Sequence, residues 1–343
     1  MDNMTAKVAA ADIAQDKREN DLILDVRDLS VSFDVYGSTS HVLDGITFSV
    51  KRGERVGLVG ESGCGKTTTM KAILNVLPKN GRVDKGEILF EGKNVFTMED
   101  KDLADMRRHG AGMIFQDPSS ALNPVFSIEK QFLTALKYAY PADTPKEELQ
   151  RIAVEALNAV MLPDPERILK SFPFQLSGGM KQRVCIAITI AAGRQLLLAD
   201  EPGTALDVTI QDQILRLINK LVAEKHLSVI MVSHSLGVIR ESTSIVNIMY
   251  AGTVVETGVT DDVFSHPKHP YTVALMACVP KLTGFGIAEG IPGRVPDYAK
   301  PPQGCRYAPR CPYAKDICSK EKPPRVEIMP GHWVSCYFAN EVI

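Results

Sequence analysis

At 343 residues, 45% of them hydrophobic and 23% charged, the chain is long enough for one large α/β domain plus an appendage and has a soluble protein's composition. A formal net charge of −2 gives no bulk attraction to a polyanion, which argues against nucleic acid as a partner. The longest apolar run, 184–192, is roughly half of what a membrane-spanning helix needs, so no segment is expected to cross a bilayer.

Residues 1–20 carry scattered charges and no apolar core of signal-peptide length, and are expected to form the mobile tail of a cytoplasmic protein. LILDVRDLSVSF (22–33) alternates apolar and polar residues, the pattern of a half-exposed antiparallel strand. ERVGLVG (54–60) is a short strand that runs directly into the glycine loop GESGCGKTT (60–68). GEILFEG (86–92) and AGMIFQD (111–117) read as further strands.

From Ser127 to Phe174 the pattern becomes helical. Thr144 at the N-cap, Pro145 at the first helical position and Glu147 at the third predict a capped start, with Ala153, Leu157 and Val160 on the buried stripe. RQLLLADEP (194–202) and LSVIMVSH (227–234) predict parallel strands buried on both faces, with functional side chains at their C-terminal ends. Beyond about residue 260 proline becomes frequent and periodicity fades, which places a boundary there.

Gly60, Gly65, Lys66 and Thr67 satisfy G-x-x-x-x-G-K-[ST] between a strand and a helix, the context a phosphate loop requires. Glycines let backbone N–H groups close around phosphates, the lysine reaches the terminal oxygens, and the threonine hydroxyl ligates Mg²⁺. Gly60, Ser62, Gly63, Cys64, Gly65, Lys66, Thr67 and Thr68 are therefore the candidate phosphate contacts. Cys64 sits where bound phosphate and a helix start can alter a thiol; an inert loop filler is the other reading. Asp200 and Glu201 follow an apolar strand, Asp200 facing the metal's water shell and Glu201 orienting or deprotonating the attacking water. LSGGMKQRV (176–184) offers a second anion-binding helix start at Ser177, Gly178 and Gly179, so one chain carries two phosphate cradles.

Gln116 after AGMIF, the Ser-Gly-Gly turn, LLLADEP, TALD (204–207) and His234 closing VIMVSH complete a set. In this order the set resembles the ATP-binding subunit of an ABC transporter, over roughly residues 22–260. The resemblance implies a P-loop NTPase of α/β class with a RecA-like core, an antiparallel β subdomain and an α-helical subdomain at about 117–180. It also implies two nucleotide domains packed head to tail, with Ser177, Gly178 and Gly179 serving the ATP of the other subunit. In the same way, Gln116 would contact Mg²⁺, His234 the γ-phosphate and Asp207 the partner subunit, and Tyr36, with Phe33 as the alternative, would stack on adenine. Two positions depart from the family's commonest pattern: Met180 replaces glutamine, and Gly203 replaces threonine or serine.

HPKHPYTVALMACVP (266–280) resembles the start of the C-terminal extension of oligopeptide, dipeptide and nickel importer ATPases, which would make 261–343 a small Cys-rich extension. Cys305, Cys311, Cys318 and Cys336 lie there with five, six and seventeen residues between neighbours. In a reducing compartment four thiolates point to a metal site rather than a disulfide framework, and spacing alone leaves zinc and a [4Fe-4S] cluster both open, with free thiols as the third reading. The resemblance favours the [4Fe-4S] cluster. It further implies an importer for peptides or a related small solute, attached peripherally to the cytoplasmic face of the membrane. The implied partners are a second, non-identical ATPase subunit, two transmembrane permease subunits and an extracytoplasmic solute-binding protein.

The alternative is a soluble, non-transport ABC ATPase of DNA repair or translation. Lys66 and Ser177 are 111 positions apart, too close for the long coiled coil of repair members, and a second phosphate loop is absent from the sequence.

Overall fold

The computed structural model describes residues 21–204, 206–278, 290–339 and 341. The expected tail (1–20), residues 279–289 of the expected extension and its last residues lie outside that set. The chain divides into two compact units: Met1–Glu54, Gly60–Met98 and Asn247–Ile343 form one, Arg55–Val59 and Glu99–Val246 the other.

In the first unit the strands Ser38–Lys51, Leu22–Val35, Gly81–Phe90 and Lys93–Asn94 lie in that order in an antiparallel sheet. Leu24 and Val26 are buried on one phase of the alternation, Leu29 and Val31 on the other. The change of phase occurs at a register shift beside Asp28, whose φ is +50°; one extra residue turns the strand over and keeps the apolar side inward. Gly86 faces this bulge, and a Cβ there would lie 2.3 Å from the Asp28 carbonyl oxygen. The phosphate-loop helix spans Lys66–Ile73.

Later in the same unit, Val326–Met329, His332–Val334 and Thr253–Val259 are successive neighbours. Glu256 fixes these three to the following chain: its buried carboxylate accepts from the Lys268 and His269 backbone N–H groups at 2.8 and 2.9 Å and lies 2.7 Å from His332 Nε2. A buried carboxylate is tolerated only with such partners.

The second unit holds four parallel strands in the order Arg55–Val59, Ser228–Val232, Leu196–Asp200, Ala111–Ile114. Every residue of the Leu196–Asp200 and Ser228–Val232 strands is buried, which explains their unbroken apolar runs. Among the helices of this unit are Ile128–Ala139, Lys146–Ala159, Pro165–Lys170, Gly178–Ala191, Val208–Lys225 and Leu236–Ser242. The second begins at Lys146 with Pro145 at the N-cap, one residue later than its capping signal predicts, while Ala153, Leu157 and Val160 are buried as expected.

Candidate functional site

The phosphate loop belongs to the first unit. A Cβ at Gly60 would stand 2.1 Å from the Met249 carbonyl oxygen, and one at Gly65, with φ +103°, 2.5 Å from Leu43 Cδ2, so only glycine lets the loop pass between these neighbours. Lys66 folds back into the loop and donates from Nζ to the Gly60 and Glu61 carbonyls at 2.8 and 3.0 Å. Ser62, Gly63 and Thr67 are exposed and Thr68 is half-buried. Cys64 is buried, and burial pushes its thiol up against the opposing pull of Lys66, which favours the inert filler over a reactive thiol.

Tyr36 stands fully exposed at the tip between the first two strands, with φ +46°. Phe33 instead packs on Gly81, where a Cβ would come within 2.7 Å of its ring.

The second unit gathers Gln116, Glu201 and His234, each just beyond the C-terminal end of a parallel strand, where such sheets present their reactive groups. Gln116 Nε2 donates to Glu201 Oε2 at 2.8 Å, and His234 Nε2 lies 2.6 Å from Glu201 Oε1. The Glu201 side chain is only 9% exposed, against 43% for His234. Glu201 also adopts φ +48°, a left-handed conformation that costs of order 1 kcal/mol or more outside glycine. Its N–H donates to the Val232 carbonyl at 3.1 Å, and its own carbonyl accepts from Gly203 and Thr204 at 2.7 and 3.2 Å. Three backbone hydrogen bonds thus fix the main chain of Glu201, and Gln116 and His234 hold its carboxylate. Asp200 is buried at the end of its strand.

Ser177 and Asp207 sit at helix starts. Ser177 Oγ accepts from the Met180 N–H at 3.3 Å and caps the Gly178–Ala191 helix; Asp207 accepts from the Ile210 N–H at 3.0 Å and caps Val208–Lys225. Cβ atoms at Gly178 and Gly179 would lie 2.9 Å from Leu206 Cδ2 and 2.8 Å from Ile210 Cγ2, so the glycines let these two helix starts approach. At Gly203 a Cβ would meet Gln211 Cγ at 2.9 Å and Gln211 Cα at 3.3 Å, which accounts for glycine where threonine or serine is usual.

The four-cysteine expectation is corrected. Cys305, Cys311, Cys318 and Cys336 border one cavity of about 20 Å³, yet among the described residues no group of three or more His, Cys, Asp or Glu is placed to hold a metal ion. Burial pushes the Cys305 thiol up to about 11 and raises Cys311 and Cys336. Among the described residues neither the [4Fe-4S] cluster nor a zinc site is supported, and the Cys-rich character expected of the extension has no support. Spacing says where thiols lie along the chain, not where they point.

Sequence reading passed over Glu61, Tyr271, Tyr298 and Arg310. The Glu61 N–H donates to Tyr271 Oη at 3.0 Å, the Tyr298 hydroxyl donates to the Gly63 carbonyl at 2.8 Å, and Arg310 pairs with the Glu61 carboxylate at 2.7 Å. Tyr271 lies in the HPY stretch already singled out, but no local signal ties position 61 to position 310.

Among the described residues no helix is long and apolar enough to cross a membrane. The ABC transporter family pattern matches residues 43–204, and the oligopeptide/dipeptide transporter C-terminal region matches 255–318. A probable peptide ABC transporter ATP-binding protein of Sinorhizobium fredii is 42% identical over 96% of this chain and 98% of its own. The oligopeptide transport ATP-binding protein OppD of Bacillus subtilis is 42% identical over 93% of this chain and 89% of its own. A dimeric ATP-binding cassette solved in a post-hydrolysis state with ADP and Pi superposes with a TM-score of 0.62 at 26% identity, covering 69% of this chain and 98% of that one. The chain belongs to the ATP-binding proteins of ABC transporters, in the group that carries the oligopeptide/dipeptide transporter C-terminal region.

Proposed function

We propose that this chain is the ATP-hydrolysing subunit of an importer for peptides or a related small solute. The observation that carries the reading is the Glu201 carboxylate, buried and fixed at both oxygens by Gln116 and His234. A carboxylate so oriented is suited to accept a proton from the water that attacks the γ-phosphate, with His234 reaching that phosphate. Gly60, Ser62, Gly63, Cys64, Gly65, Lys66, Thr67 and Thr68 cradle the phosphates through backbone N–H groups and the lysine, and the exposed Tyr36 ring stacks on adenine.

The candidate Mg²⁺ ligands fit that ion. Thr67 and Gln116 offer hydroxyl and amide oxygens, and Asp200 a carboxylate for the ion's water shell, the donors Mg²⁺ takes. Gln116 spends its Nε2 on Glu201, which leaves its amide oxygen to face a cation. Bound there, Mg²⁺ would neutralise phosphate charge.

Residues 21–260 form the cassette in this reading, with the helical part at about 117–180 turned to the permeases and 261–343 as the extension. Ser177, Gly178, Gly179 and Asp207 serve a second, related ATPase subunit packed head to tail, so that ATP bridges the two and its hydrolysis releases them. Two permeases and an extracytoplasmic binding protein complete the assembly, which places this subunit at the cytoplasmic face of the membrane. The likeness to peptide-transport ATP-binding proteins over nearly the whole chain supports this. Affinity purification from solubilised membranes should return both permeases and the second ATPase, with hydrolysis stimulated by peptide-loaded binding protein. Recovery of the chain only from membrane-free extract, hydrolysing ATP at an unchanged rate, would overturn the reading.

A further inference from the structure

Three side chains from the segment after residue 270 converge on the phosphate loop, all inside the first unit. Arg310 is the most constrained. Its Nη1 and Nη2 form a two-pronged pair with Glu61 at 2.7 and 3.1 Å, Nη1 also reaches Tyr250 Oη at 3.3 Å, and Nη2 and Nε donate to the Ile291 and Pro292 carbonyls, each at 2.8 Å. The Arg310 side chain is only 3% exposed and that of Glu61 28%, so the guanidinium end of this fork-to-carboxylate pair is shielded from water. Tyr271 is wholly buried and packs against Tyr250 and Tyr307 at ring separations of 4.7 and 5.4 Å, which gives its hydroxyl a rigid mount.

We propose that Arg310, Tyr271 and Tyr298 are positioning residues of the phosphate loop, setting the direction of its backbone N–H groups and so the affinity for nucleotide. This rests on the reading of 60–68 as the ATP cradle. Gly63 is exposed and at φ +76°, and the Tyr298 hydroxyl holds its carbonyl. The peptide unit is planar and trans, so fixing that carbonyl aims the Cys64 N–H the opposite way, where it donates to the Glu61 carbonyl at 3.3 Å, a long bond that phosphate would replace. Tyr271 occupies the Glu61 N–H, and Arg310 anchors the Glu61 side chain, so the loop's first turn is pinned on both backbone and side chain. A loop set in its binding shape does not spend binding energy on ordering.

The test uses the full chain, with the MgATP dissociation constant from calorimetry, the melting temperature, and KM and kcat in the assembled transporter. Tyr298→Phe removes one hydroxyl and should weaken MgATP binding about three- to tenfold, with kcat at saturating ATP unchanged. Glu61→Ala and Arg310→Ala should each weaken it about tenfold, and the double variant no more than either single one, because both break the same pair. If Arg310→Ala fails to fold, Arg310→Lys, which keeps the charge and loses the fork, carries the test with Tyr298→Phe. Wild-type affinity in variants that retain the wild-type melting temperature would overturn the proposal, as would strictly additive effects in the double variant. A wild-type chain that itself failed to bind MgATP would instead overturn the nucleotide-site reading.

Discussion

His234 Nε2 lies 2.6 Å from Glu201 Oε1, within hydrogen-bond distance. With Gln116 donating to the other oxygen, Glu201 is aimed before any substrate arrives. His234→Ala should therefore lower turnover at saturating ATP by about 10²-fold, the scale for losing one preorganised donor, and leave nucleotide affinity near wild type. Steady-state hydrolysis by the purified complex beside equilibrium MgATP binding checks this.

Ser177 has a local task and a proposed distant one, and a single substitution separates them. Ser177→Asp keeps a cap acceptor for the Met180 N–H, so melting temperature should hold within a few degrees. The added charge would face the partner's γ-phosphate, and hydrolysis should fall by at least tenfold. Retained hydrolysis with retained stability would remove Ser177 from the partner's site.

Gly179→Ala should destabilise the chain. Alanine favours a helix over glycine by about 1 kcal/mol, but its Cβ would meet Ile210 Cγ2 at 2.8 Å, and overpacking of this kind costs about 1–3 kcal/mol. Pairing it with Ile210→Ala removes the clash, so denaturant unfolding of the double variant should show less than the sum of the two losses.

His269 gives the stability a pH dependence. Burial lowers its pKa to about 4, against a weaker upward pull from Glu256, and its Nδ1 accepts from the Tyr271 N–H at 3.0 Å, a bond only the neutral ring makes. The unfolded chain binds the proton near pH ~6.5, so this contribution is complete above that value and is lost as pH falls towards 4, at up to about 1.4 kcal/mol per pH unit. His269→Asn keeps a cap acceptor without the titration. Urea unfolding between pH 7 and 5 should show a shallower decline in this variant than in wild type; equal slopes would exclude His269 as the cause.

Much of the nucleotide machinery was legible because its residues are contiguous. A strand, six loop residues and a helix fix the phosphate loop, and Asp200, with Glu201 just beyond it, ends a strand whose burial is written in its apolar run. The helix start at Ser177 could be read, whereas the cap of Val208–Lys225 by Asp207 was not, and the start near Thr144 fell one residue late, because a cap signal competes with the proline beside it. Long-range chemistry was not legible. Arg310 and Glu61 are 249 positions apart, and nothing near either announces the other. The four cysteines misled for the same reason: their thiols were countable, but their directions depend on the packing of Asp316–Lys320 and the chain beyond Val334.

The most direct measurement is MgATP hydrolysis and MgATP binding by the same assembled transporter carrying Glu201→Gln. Glutamine keeps the shape and cannot take the proton of water, so turnover should fall by about 10²- to 10⁴-fold while binding persists. Hydrolysis within a few-fold of wild type would contradict the assignment of Glu201 as the residue that activates water.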